Sequence, residues 1–135
     1  MGDRANIVVR NSRFEDNGVW LYSHWGGSDL WRVLQTALGR EQRWGDDAYL
    51  TRIIFCEMML TEVRAGHTDA AEIVLRGETG YGIGTGPCDN GYPLLVVNTE
   101  AQTVEVCDLD KNKVGKAHKS FSFKQYLTLK ADPRY

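Results

Sequence analysis

The stretch Gly18-Val-Trp-Leu-Tyr-Ser-His-Trp-Gly-Gly-Ser-Asp-Leu30 reads as a strand that runs into two glycines and then starts a helix. His24 and Trp25 sit at the join. Backbone amides at a helix start lack intrahelical partners and carry partial positive charge, so a join of this kind is suited to holding an anion. Period-two alternation puts Val19, Leu21 and Ser23 on one face and Trp20, Tyr22 and His24 on the other. The aliphatic face suits a core. The aromatic face ends in His24.

Toward the N-terminus, Ala5 to Val9 is rich in β-branched residues and predicts a first strand. Asn17-Gly18 is a hairpin-turn dipeptide, since both residues tolerate positive φ. Toward the C-terminus, Ser28 is the predicted N-cap, with Asp29 in the first turn. Leu30, Trp31, Leu34, Ala37 and Leu38 then follow the helical period. A second helix opens at Gly45-Asp46-Asp47, with either aspartate as cap. From Tyr49 to Val63 it is apolar over most of its circumference, which predicts burial against both sheet and neighbouring helix. Gly66 supplies a stop, and Thr68 to Arg76 fits either helix or strand.

From Gly77 to Gly86, Tyr81, Ile83 and Thr85 share one side and Gly80, Gly82, Gly84 and Gly86 the other. A strand with one bare face implies close approach to its backbone. The apolar second helix is the simpler occupant, a planar ligand the other. A dinucleotide fingerprint is excluded, because a proline turn and a strand follow instead of a helix. Tyr92 to Asn98 and Thr103 to Leu109 predict a hairpin, Asp110 to Lys119 a charged loop. Ser120 or Ser122 caps a short helix from Phe123 to Leu129. The order predicts an α+β fold: a two-layer antiparallel sheet covered on one face by a helical pair, with a short C-terminal helix, in one domain over 1–135.

Composition sets bounds. The 135 residues are long enough for a core of their own, and 42% apolar with 25% charged residues argues against disorder. A net charge of −2 gives no reason to expect duplex nucleic acid, although a local basic patch stays open. Cys56, Cys88 and Cys107 are odd in number and widely spaced, as in a reducing cytoplasm, and no sequence-local metal site or cofactor motif is present. No apolar run approaches the ~20 residues of a membrane span. A cytoplasmic protein is expected, with homo-oligomers open.

Gly2-Asp-Arg-Ala-Asn6, Leu21-Tyr-Ser-His-Trp-Gly-Gly27, Tyr49-Leu-x-Arg-Ile-Ile-Phe55, Glu78-Thr-Gly-Tyr-Gly-Ile83 and Asp89-Asn-x-Tyr-Pro93 together resemble a family of small uncharacterised bacteriophage and bacterial proteins, over about positions 2 to 106. The resemblance implies a phage or mobile-element context, hence host cytoplasm and a counter-defence role. It carries no catalytic residue with it.

The local chemistry points to a site for a small phosphorylated or nucleotide-like ligand. His24, Trp25, Gly26, Gly27 and Ser28 form the anion-holding join; Trp20, Tyr22 or Trp25 stacks on a base; Arg4, Arg10 or Arg52 supplies a charge clamp. Ordinary loop chemistry and core tryptophans are the alternative. No nucleophile and base are paired: Cys56 belongs to the apolar helix, and Ser23 and His24 point to opposite faces. Glu57 interrupts an apolar surface and must be paired with an arginine or functional. The expected role is therefore binding without turnover, sequestering a host immune signal. The rivals are a module that inhibits a host defence protein through exposed Trp and Arg residues, and a His-dependent nucleotide hydrolase.

Overall fold

A computed structural model of the chain describes residues 2–11, 18–64 and 80–135, with backbone alone for 62–64. The expectations for Asn17, Gly66 and 68–76 lie outside these residues. The strands are β1 (Ala5–Arg10), β2 (Val19–Ser23), β3 (Tyr81–Gly84), β4 (Leu94–Asn98), β5 (Thr103–Asp110) and β6 (Lys113–Ser122); the helices are α1 (Leu30–Gly39), α2 (Asp47–Arg64) and α3 (Phe123–Leu127). The fold is α+β, with one six-stranded sheet in the order β3-β2-β1-β4-β5-β6 and the helices packed on it.

Every pair of neighbouring strands is antiparallel except β1 and β4, so the sheet is mixed where hairpins alone predict an antiparallel one. The exception has a simple origin. β2 occupies one side of β1, and β3 adds outside β2, running in β1's own direction. The chain then returns to the end where β1 starts before β4 pairs with β1's other side, and this return makes the pair parallel. That return carries Asp89 to Gly91 past Arg4 and Asn6, where the Gly91 amide donates to the Arg4 carbonyl at 2.8 Å.

On the helix-covered face, Ile7, Val9, Leu21, Leu95, Val97, Val104 and Val106 meet Leu30, Leu34 and Leu38 of α1, Leu50, Ile54 and Met58 of α2, and Phe123 and Tyr126 of α3. Burying each such side chain contributes about 1.5–3 kcal/mol. The α1 stripe is the one its periodicity predicts, Leu30, Trp31, Leu34, Ala37 and Leu38 all being buried. α2 departs from expectation. Tyr49, Cys56 and Leu60 are exposed, so only one stripe of this apolar helix is buried, and Cys56 is not core packing. Its start is capped as expected, the Asp46 carboxylate accepting from the Tyr49 amide at 3.2 Å. Glu57, 2% exposed, is paired with Arg40 at 2.7 Å.

The opposite sheet face is apolar too: Val8, Trp20, Leu94, Val96 and Cys107 are buried there. Burial pushes the Cys107 thiol up to about 11. The 110–119 segment is not a charged loop. Lys111 and Asn112 both adopt positive φ (50° and 65°), the conformation of a two-residue hairpin turn, and β5 pairs with β6 across it. The charge pattern hid the strand because β6 is exposed along most of its length, leaving no apolar alternation to read. Ser122 caps α3 in a capping box with Gln125, the two bonds being 3.1 and 2.8 Å. Beyond it, the Tyr126 hydroxyl donates to the Trp31 carbonyl at 2.8 Å and ties α3 to α1.

Candidate functional site

The aromatic face of β2 lies between a polar column and a bare one. Register puts Asn6 opposite Tyr22 and Tyr22 opposite Gly82; one row on, Val8, Trp20 and Gly84 are aligned. One row back, the β2–β3 register sets His24 beside Gly80, the His24 amide donating to the Gly80 carbonyl at 2.8 Å, and the His24 carbonyl accepts from the Asp3 amide at 2.8 Å. Three short strands thus array Asn6 and Val8 against Tyr22 and Trp20, and these against Gly82 and Gly84, with Arg4 and His24 just beyond the strand ends.

The glycines belong to this face, turned away from α2, so the bare strip does not seat the second helix. A Cβ at Gly82 would meet only Tyr22, at 4.0 Å, and one at Gly80 would meet nothing within 4 Å. That leaves the flank of the Tyr22 ring without side-chain cover from β3.

Along the polar column, Arg4 Nη1 donates to the Asp89 carboxylate at 2.7 Å. Asn6 Nδ2 donates to the Asp89 carbonyl at 2.7 Å and to Asn90 Oδ1 at 3.2 Å. Two atoms of this column, Arg4 Nε and Asn6 Oδ1, are buried without a hydrogen-bond partner among the described residues. Such groups are uncommon in folded proteins, each costing about 1–3 kcal/mol. The Tyr22 hydroxyl and His24 Nδ1 are 2.6 Å apart. With the hydroxyl donating, the imidazole carries its own proton on Nε2. Burial raises the Tyr22 hydroxyl above its ordinary value, Cys88 and Asp89 push the same way and Arg4 offsets part of it. The Trp25 ring meets the His24 ring edge-on, with centroids 4.4 Å apart.

The helix start is built differently from its sequence expectation. Ser28 does not cap α1: Gly27–Asp29 form a 3-10 turn, and no side-chain cap bond is present at Asp29. The Ser28 amide and hydroxyl instead donate to Asp3 Oδ2 at 2.9 and 2.7 Å, and the Gly27 amide donates to the Asp3 carbonyl at 2.7 Å. The Tyr92 hydroxyl donates to the other Asp3 oxygen at 2.6 Å. The anion at this join is therefore the chain's own carboxylate. Burial pushes Asp3 up, but the bonds from Tyr92 and Ser28 and the charge of Arg134 outweigh it and hold the carboxyl below its usual range. Arg134, buried, lies over the Tyr92 ring at 4.3 Å, donates to the Ser28 carbonyl at 3.2 Å, and is paired with Asp132. Gly27 is required here, since a Cβ would fall 2.5 Å from the Asp3 carbonyl oxygen.

The predicted site residues thus separate into three groups. Arg4, Tyr22 and His24 come together on the sheet face; Gly26, Gly27 and Ser28 wrap around Ser23 and Asp3; Trp25 stands between, 55% exposed. Trp20 is 5% exposed and belongs to the core of its face, leaving Trp25 as the ring open to stacking. Arg52 lies over the Tyr49 ring at 5.8 Å on α2, and Arg10 pairs in register with Asn98 at the far end of β1; neither joins Arg4. Asn6, Asp89, Asp3, Tyr92 and Arg134 were not legible as site residues. Four of them fall in the Gly2–Asn6 and Asp89–Pro93 pieces, which interlock through the Asp3–Tyr92, Arg4–Asp89 and Asn6–Asn90 contacts.

No protein-family model, curated protein or solved structure matches this chain. Among the described residues, no helix is long and apolar enough to cross a membrane.

Proposed function

We propose that the chain binds a small phosphorylated or nucleotide-like ligand at the Arg4–Asn6–Tyr22–His24 corner without turning it over, and that in a phage context this sequesters a host immune signal. The observation that supports it most is the orphan pair: Arg4 Nε is a buried donor and Asn6 Oδ1, two residues on, a buried acceptor, neither with a partner among the described residues. A ligand offering an acceptor and a donor, as a nucleobase edge or a phosphate next to an amine does, supplies what the two groups lack once the corner opens to admit it, both atoms being closed to solvent in this structure. The exposed Trp25 ring gives a stacking surface, and Gly80 and Gly82 put no side chain on the β3 side of Tyr22.

Calorimetry with a panel of cyclic and linear nucleotides tests this. At least one binds, and His24→Ala and Asn6→Ala each weaken it by about ten-fold while the fold is kept. Absence of binding across the panel refutes it. Turnover of a bound nucleotide that is lost in His24→Ala establishes the hydrolase instead.

A second reading draws on a different observation: Trp25 at 55% and Ile83 at 61% are large apolar side chains left exposed. Tryptophan dominates interface hot spots, so inhibition of a host protein through this edge is the rival. Retention of a single host protein that Trp25→Ala releases, with no nucleotide bound, favours it.

A further inference from the structure

All six lysines of the chain, Lys111, Lys113, Lys116, Lys119, Lys124 and Lys130, fall within twenty residues. No carboxylate occurs between 111 and 131, so that segment carries +6; the remaining ten arginines and eighteen acidic residues carry −8. The structure turns this segment into one margin of the molecule. β6 is the terminal strand of the sheet, paired with β5 alone among the described residues, and α3 continues from its end. The six lysines are exposed, and none forms an ion pair with a described residue. Lys119 alone is engaged, its ammonium donating to the Pro133 and Tyr135 carbonyls at 2.8 and 2.6 Å. On β5, Asp108 takes His118 at 2.8 Å, and Asp110 and Glu105 stand opposite Lys113 and Ser120.

An edge strand of this length presents a row of backbone N–H and C=O groups with no partner in the sheet, and lysine on such an edge repels a like-charged edge. The β6 of a second copy is therefore excluded as occupant, because it would set lysines against lysines, and the uncharged β3 at the other edge offers these lysines no carboxylate. A strand of opposite charge is selected by the same groups, since cross-strand neighbours of opposite sign attract. Single-stranded nucleic acid would use the charge but not the backbone edge; of the two rings on β6, Phe121 is half-buried against Tyr126, with ring centroids 6.2 Å apart, and His118 is held by Asp108. Lysine is also the less suited cation for bidentate phosphate recognition, and every arginine lies elsewhere. We propose that the β6 edge takes an extended acidic segment of a partner protein as a seventh strand, the added backbone completing the ladder and its Asp or Glu side chains meeting Lys113 and Lys116.

A fluorescently labelled peptide alternating Glu with Thr, titrated into the full chain, is the test. It binds, raised salt weakens it, and hydrogen exchange shows new protection at β6 amides. Lys113→Glu/Lys116→Glu, at exposed positions, lowers affinity by about ten-fold with circular dichroism unchanged. If that variant loses its fold, the salt dependence of the native chain reads the same charge requirement. Absence of peptide binding overturns the proposal. So does equal binding of oligothymidylate and acidic peptide without β6 protection, which identifies a general polyanion surface. Unchanged affinity in the folded double variant overturns it as well.

Discussion

Replacing Asp3 by alanine should unlatch the corner on which the chain's two ends meet. The side chain accepts three hydrogen bonds, from the Ser28 amide, the Ser28 hydroxyl and the Tyr92 hydroxyl. A bond to an ionised acceptor contributes about 1.5–3 kcal/mol where water is excluded. Ser28 is exposed, so its two donors recover water when the carboxylate is lost and most of their share is discounted. The Tyr92 hydroxyl is half-buried and recovers less. The expected cost is about 2 kcal/mol, which for a chain of this size lowers the melting temperature by roughly 8 °C. The pH dependence follows from the direction of the shift. Asp3 titrates below its ordinary value of 3.8 in the folded chain. Its contribution is therefore present above that value and is lost as pH falls through the folded one. Urea unfolding of Asp3→Ala and the native chain should differ by a constant amount near neutral pH and converge in acid. A difference under about 0.5 kcal/mol at neutral pH, or one that does not shrink in acid, refutes the reasoning.

Tyr92 gives the alkaline counterpart. Its bond to Asp3, with burial, lifts it from 10.0 to about 12, so its contribution holds below the lower value and is lost as pH rises through the upper; urea unfolding of Tyr92→Phe should show a smaller alkaline loss than the native chain. Arg40→Met takes one guanidinium from the buried Glu57 carboxylate, and chemical denaturation should report a loss of about 2 kcal/mol, below the cost of breaking a fully buried pair because Arg40 is 43% exposed. A thiol reagent should label Cys56 and Cys88 rapidly in the native state, and Cys107 only on unfolding. Ser122→Ala removes the capping box of α3 and should lower stability by about 1 kcal/mol in the same denaturation assay.

Much of this molecule is present in local periodicity. The β2 alternation, the α1 stripe, the Asp46 cap and the Ser122 capping box are each decided by residues within one or two turns of each other, so neighbouring side chains suffice to predict them. Glu57 was legible as a residue in need of a partner, and the partner is Arg40. What needed tertiary structure were pairings between distant positions. The chain's β1–β4 parallel pair depends on the end to which the β3-to-β4 connection returns, which no window of sequence contains. The Gly80–Gly84 face shows at once as bare, yet which layer it faces depends on its register with Tyr22 and Trp20.

The opening stretch marks the same division. Composition and spacing alone determined that a strand meets a helix at His24-Trp25-Gly26-Gly27 and that this join can hold an anion, since backbone amides at a helix start are local properties. Only the fold decided that the anion is Asp3, twenty-five residues before Ser28, and that Tyr92 from a third segment completes its shell. Carboxylate and hydroxyl groups find partners by distance in space, and sequence separation carries no information about that distance until the sheet has set the register.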